Sequence, residues 1–201
     1  MLPAIAVSGS RFKSPVMNKL IAAFDGLHYA HSTQEYAGLI AEKTSAHLVG
    51  IFLDDSTYTS YKVFELVSKE GSVEHNLAEA DKKDTATRLS ASKQFETFCQ
   101  HRHLNVTIRH DRKIALKEIV HESAFSDLVV IAATETLTHH EEPLPSRFLR
   151  DFLGDTHCPI IVVPEMFHHP DRVVLLYDGL PSSVHAIKMF CYLLGELCEL
   201  P

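Results

Sequence analysis

The stretch Lys19-Leu-Ile-Ala-Ala-Phe-Asp-Gly-Leu27 decides how the rest of the chain is read. Leu20 to Phe24 is a short unbroken apolar run, the pattern of a strand buried on both faces. Asp25-Gly26 ends it with turn residues. From Ser32 to Lys43 a helical pattern follows, with Tyr36, Leu39 and Ile40 on one stripe and polar residues opposite. A strand followed by an amphipathic helix is the unit of a parallel sheet, because a parallel neighbour is reached only through a crossover. The alternation continues. His47–Leu53 reads as the next strand, residues 56–72 are mixed, and Val73 to about His101 is a long run of good helix formers. Leu77, Ala80, Leu89, Phe95 and Phe98 are its candidate buried positions. Asn105–Arg109 is a strand by β-branched content, and Ile114, Leu116, Ile119 and Val120 mark a short helix. Asp127–Ala133 is the most apolar strand. A loop rich in Thr, Glu and His covers 134–145, Ser146 is placed to cap a helix to about Thr156, and Cys158–Val163 is the fifth strand. The expectation is an α/β fold: a doubly wound parallel sheet of five strands with helices on both faces.

The opening stretch recurs as Arg172-Val-Val-Leu-Leu-Tyr-Asp-Gly-Leu180, in register residue for residue. An amphipathic helix follows this copy as well, capped by Ser182 or Ser183 and reaching about Cys198. The chain therefore divides into an extension at 1–16, a domain at 17–164, and a segment at 165–201. That last segment reads as a linker and the first strand (Val173–Tyr177) and helix of a second, incomplete domain. One strand and one helix cannot bury their own apolar faces. The unit must pack on the first domain, pair with another chain, or belong to a longer tandem protein, and the repeat favours the last. Residues 1–16 show no export signal, since Arg11 and Lys13 follow the short apolar stretch instead of preceding it.

At 201 residues with 45% hydrophobic and 22% charged, the chain is long enough for a substantial core and is no disordered or fibrous sequence. Its net charge of −7 speaks against a nucleic-acid partner, and no apolar run is long enough to cross a membrane. Cys99, Cys158, Cys191 and Cys198 show no metal-knuckle spacing and read as reduced thiols of a cytoplasmic protein. Of the fourteen histidines, His139-His140 and His168-His169 fall in loops. They lack the spacing of a metal site, so no metal is expected.

Three segments in order carry a family resemblance: Leu20-Ile-Ala-Ala-Phe-Asp-Gly26, Asp127-Leu-Val-Val-Ile-Ala-Ala133, and Cys158-Pro-Ile-Ile-Val-Val-Pro164. Together they resemble the universal stress proteins over residues 18–164, with a second partial copy at 172–200. The resemblance implies strand order 3-2-1-4-5 in an adenine nucleotide α-hydrolase-like fold, usually dimeric, with two domains face to face in tandem members. It also implies a nucleotide site in the ATP-binding branch. There, the Asp ending the first strand contacts the adenosine end; Asp25 holds that position, with Asp178 as its copy. The phosphates lie on a loop of the form Gly-x2-Gly-x9-Gly-Ser/Thr after the fourth strand. Counting back from Cys158-Pro159, those positions are Ala133, Thr136, Ser146 and Arg147. No glycine stands there to let backbone N–H groups approach a phosphate. Glu135, Glu141 and Glu142 add repulsion, and Pro143 and Pro145 remove donors. The chain has no P-loop and no nucleophile elbow. The expectation is a stress-response protein working by ligand binding or protein association, without its own catalysis and with a degenerate ATP loop. The alternative is an ATP-binding member with slow ATPase or switch activity. The expected partner is a second copy (a homodimer) or a second domain of the same chain, since the strand at 158–163 falls at a sheet edge by this analogy.

Overall fold

A computed structural model describes residues 17–53, 73–111, 114–137, 142–195 and 197. The expectations for 1–16, 56–72 and Cys198 lie outside these residues. Five strands form one sheet: β1 (Lys19–Asp25), β2 (His47–Leu53), β3 (Val106–Asp111), β4 (Leu128–Ala132) and β5 (Ile160–Val163). The order is β3-β2-β1-β4-β5 and every pairing is parallel. The helices are α1 (His31–Thr44), α2 (Val73–His101), α3 (Ala115–Ser123), α4 (Arg147–Asp155) and α5 (Pro181–Leu193).

Because β1, β2 and β4 are apolar at successive positions, both faces of the sheet can be covered, and both are. Leu20, Ala22 and Phe24 point to the face that holds Leu48, Phe52, Val130 and the buried residues of α1 and α2. Ile21 and Ala23 point to the other, with Ile51, Ile131, Ile119 of α3 and Phe152 of α4. On the first face, Phe24 stacks on Phe52 at 5.1 Å and meets Phe95 edge-on at 5.0 Å between centroids. Leu89, expected in the core, is instead 64% exposed. The buried stripe of α2 runs through Ala91, Phe95 and Cys99, and a residue two before Ala91 lies on the far side of the helix.

Opposite the aromatic face, Glu122 at the end of α3 is buried and accepts a hydrogen bond from Lys19 Nζ at 2.9 Å, with Arg109 paired to its other oxygen. Burial alone would raise the Glu122 pKa, but the hydrogen bonds from Lys19 and Arg109 outweigh it and hold the carboxyl below its usual 4.5. Its contribution is therefore present above the unfolded carboxylate pKa and lost as pH falls through the lower folded value. Glu122→Ala is expected to cost about 2 kcal/mol at pH 7, the partners being partly solvated, and much less at pH 3. Urea denaturation at both pH values checks this; an equal loss at both would assign the effect to packing.

Past β5 the expectation of a sixth strand fails. Residues 173–177 form no strand, whereas the helix that follows them does form. A strand needs a neighbour for its ladder, and none of the described residues pairs with 173–177; a helix satisfies its own backbone. The expected caps Ser182 and Ser183 lie inside the first turn, which Pro181 opens after Leu180. The tail is moored at two points. The Phe167 ring meets Tyr36 of α1 at 4.8 Å, with Tyr36 Oη donating to the His168 carbonyl at 2.9 Å. At the end of α5, Phe190 and Leu193 pack on the same core, and just past it Leu194 is buried and Leu197 packs there as well.

Candidate functional site

The strand order places a topological switch point between β1 and β4. The chain leaves β1 toward β2 and leaves β4 toward β5, so the connections part there and open a crevice at the carboxyl ends of the strands. Asp25 is the last residue of β1 and is 6% exposed. Its carboxylate folds back on its own loop: Oδ1 accepts the Leu27 N–H at 2.8 Å, and Oδ2 lies 3.0 Å from His28 Nδ1. The Asp25 N–H donates at 3.3 Å to Oε2 of Glu135, in the loop after β4. Glu135 is 5% exposed. Its carbonyl accepts a hydrogen bond from Ser146 Oγ, which itself accepts the Leu149 N–H at 3.1 Å and so caps α4. One chain of hydrogen bonds thus ties the end of β1 to the loop after β4 and to the start of α4. Within that loop Leu137 takes a left-handed φ of 54°, a strained conformation for leucine, while its side chain is buried in the second core.

Two carboxyls share this dry corner. Burial, and then the charge of Asp25, push the Glu135 pKa up to about 8 against the opposing hydrogen bond from the Asp25 N–H. Glu135 is thus mostly protonated at neutral pH. The His28 pKa is raised too, but there the charged form is the one favoured: its hydrogen bond to Asp25 lifts the pKa above 6.5 more than partial burial lowers it. The His28 imidazole is expected to titrate above 6.5 by NMR, and Asp25→Asn should return it to that value or below. An unmoved titration in Asp25→Asn would show that the contact at 3.0 Å is not formed in solution.

On the α2 side, Arg88 lies against the turn; a Cβ at Gly26 would come within 2.9 Å of its Cγ. Beside it runs a cleft of about 410 Å³, with Leu27 and Tyr29 of the β1–α1 loop on one wall and Lys83, Thr87, Ser90 and Gln94 of α2 on the other.

Of the residues singled out from the sequence, the structure brings Asp25 and Ser146 together through Glu135. Thr136 is half-buried in the same loop. Ala133 spends its N–H on the Val163 carbonyl at 2.8 Å, extending the β4–β5 ladder. Arg147 donates its N–H to Glu142 at 2.7 Å, and its side chain is 81% exposed, 3.8 Å from Asp151 on its own helix. Glu135 was legible only as a loop acid; its burial against Asp25 depends on the tertiary fold. His28 and Arg88 carried no sequence signal beyond lying near Asp25 in sequence or on a helix facing it. His139, His140 and Glu141 lie outside the described residues, among which no group of His, Cys, Asp and Glu could hold a metal ion. No helix among them is long and apolar enough to cross a membrane.

A wholly parallel sheet of order β3-β2-β1-β4-β5 with helices on both faces is a doubly wound α/β fold. Within that class, the fold is that of the universal stress proteins. Universal stress protein UspA from Lactobacillus plantarum aligns with a TM-score of 0.55 at 18% identity, over 74% of this chain and 99% of that one. The hypothetical protein MJ0577, described in a structure-based assignment of biochemical function, aligns with a TM-score of 0.56 at 15% identity, over 75% and 97%. No family model matches the chain, and no curated protein matches it by sequence.

Proposed function

We propose that this chain is a universal stress protein that acts in stress response by ligand binding or protein association, without catalysis of its own and without ATP in the Asp25 crevice. The observation that carries the reading is Glu135. A phosphate loop offers backbone N–H groups to an anion. Here the loop after β4 offers a second buried carboxyl beside Asp25, and the N–H of Ala133 is already engaged. Ionised, Glu135 would repel a triphosphate; protonated, it still occupies the space against Asp25. Arg147, the one cation of the loop pattern, faces solvent along α4. Ser146, whose hydroxyl reaches this corner, is spent on the Glu135 carbonyl and on capping α4.

Calorimetric titration of magnesium ATP into the protein at pH 7.5 tests the reading. The expected result is no binding tighter than about 1 mM. A micromolar affinity abolished by Asp25→Ala would overturn it and establish the nucleotide-switch alternative in the same crevice.

A further inference from the structure

At the start of α4 the chain meets the orphan donors of the helix with its own side chains. Ser146 Oγ accepts the Leu149 N–H at 3.1 Å, and Oε2 of Glu142 accepts the Arg147 N–H at 2.7 Å. α1, a helix of 14 residues, begins differently. Its N-cap is Ala30, which has the extended backbone of a cap (φ −82°, ψ 99°) and no side-chain oxygen to offer. No acid stands in the first turn. The Gln34 N–H bonds to the Ala30 carbonyl at 3.4 Å, but none of the described residues accepts the N–H groups of His31, Ser32 and Thr33.

Two side chains of the same turn add to these open donors. Ser32 and Thr33 are 1% and 0% exposed, and neither hydroxyl has a hydrogen-bond partner among the described residues. Thr44, Thr87 and Thr97, deeper in their helices, bond back to the carbonyls of Ile40, Lys83 and Lys93 at 2.8, 3.0 and 2.8 Å. For Ser32 and Thr33 the residue four earlier lies ahead of the helix. Helical side chains lean toward the N-terminus, so both hydroxyls lean onto the turn whose N–H groups are open. A buried hydroxyl with no partner is a cost to the free protein that an acceptor would remove. His31 is exposed, so the turn reaches solvent at its first residue.

The local charge favours an anion. The positive end of the helix dipole lies here. His28, with its charged form favoured, precedes the helix by three residues, and Arg88 lies against Gly26. The neighbouring acids are engaged: Asp25 by His28 and the Leu27 N–H, Glu135 by the Asp25 N–H, and Glu35 by Arg102 at 2.8 Å.

We infer that the first turn of α1 is an oxyanion site and that its ligand carries a phosphate group. Three N–H and two O–H donors lie within His31, Ser32 and Thr33. The terminal oxygens of a phosphate can accept from all of them, whereas a carboxylate has only about four acceptor positions. The inference rests on the proposal that this chain acts by binding a ligand, and it names the class of that ligand. The site is the start of α1, apart from the loop after β4.

Amide spectra of the intact, isotope-labelled chain test this, with inorganic phosphate titrated in at pH 7.5 and constant ionic strength. The N–H resonances of His31, Ser32 and Thr33 should move downfield and saturate, at half-saturation below about 10 mM, with acetate at least about fivefold weaker. Thr33→Val removes one hydroxyl at nearly constant volume. It should weaken phosphate at least about fivefold without lowering the melting temperature, because that hydroxyl has no partner to lose. Ala30→Asp places a carboxylate at the N-cap and should raise the melting temperature while abolishing the phosphate shifts. The inference is overturned by amides that do not saturate, by acetate equal to phosphate, by binding unchanged in Thr33→Val, or by binding that survives Ala30→Asp. A lower melting temperature of Thr33→Val without phosphate also overturns it, since the hydroxyl is then bonded within the fold. The two readings fail separately: the proposed function on ATP at Asp25, this inference on phosphate at the α1 amides.

Discussion

Glu135→Gln is expected to stabilise the protein by about 3 kcal/mol at pH 8 and to change it by less than about 1 kcal/mol at pH 4. The folded pKa of Glu135 is raised from 4.5 to about 8, by burial first and by the charge of Asp25 second. Below pH 4.5 the carboxyl is protonated in both folded and unfolded chains and has no linkage effect. Between 4.5 and about 8 the unfolded chain has released a proton that the folded chain retains, so stability falls steadily as pH rises. Above that window the folded state carries a second buried negative charge beside Asp25. Glutamine keeps an oxygen to accept the Asp25 N–H and cannot ionise, so the fall with pH disappears. The sign is opposite to that at Glu122, whose paired carboxylate loses stability as pH falls. Denaturant melts of wild type and variant across pH 4 to 9 check it. Parallel profiles would mean that Glu135 is solvated and the corner at Asp25 is not closed.

The sheet was legible because its signal is local and strong. Strands covered on both faces must be continuously apolar, and Leu20–Phe24, Leu48–Leu53 and Leu128–Ala133 are, so their positions follow without tertiary knowledge. Strand order came from the family resemblance and not from periodicity, which cannot say which strands are neighbours. The capping role of Ser146 was legible for the same local reason as the strands, a small hydroxyl ahead of a helical pattern. The candidate site was half legible. Asp25 stands at a strand end that sequence marks, whereas the depth of Glu135 depends on how the loop after β4 folds back, and a lone acid in a polar loop reads as solvated. Leu89 failed because a long helix has more apolar residues than sheet to cover, and only the phase set by Ala91, Phe95 and Cys99 faces inward. At Val173–Tyr177 the sequence states a strand, and none of the described residues pairs with it. Propensity describes what a segment forms once covered, and ladder bonds need a second chain of backbone to form at all.

Phe95→Ala should cost about 4 kcal/mol, a large share of the stability of a domain this size. Phe95 has no exposed surface and packs on Phe24 at 5.0 Å, Phe52 at 6.3 Å and Phe98 at 6.5 Å between ring centroids. Its truncation removes the key of an aromatic cluster that stacked, already buried rings cannot collapse to fill. The same ring dictates a residue across the interface. Gly50 of β2 lies directly beneath it, and a Cβ there would stand 2.4 Å from Phe95 Cε1 and 2.7 Å from Cδ1. The ring has nowhere to go, so Gly50→Ala should cost about 2 kcal/mol by overpacking, although alanine is the better strand residue elsewhere. The two sites must therefore be coupled. With Phe95 replaced by Leu, whose side chain is smaller and aliphatic, the added methyl has room, and Gly50→Ala should become neutral or mildly stabilising. A coupling of at least about 1.5 kcal/mol in the double-mutant cycle, measured by urea denaturation, is the expected result. Additive losses would place Phe95 away from Gly50 and remove α2 from the first face of the sheet. That position of α2 also sets the cleft, because Lys83, Thr87 and Arg88 reach the Asp25 loop only if the turns at Ala91 and Phe95 are seated on β2. An α2 free to shift would open the crevice. The glycine–phenylalanine contact is thus where core packing fixes the geometry of the candidate site.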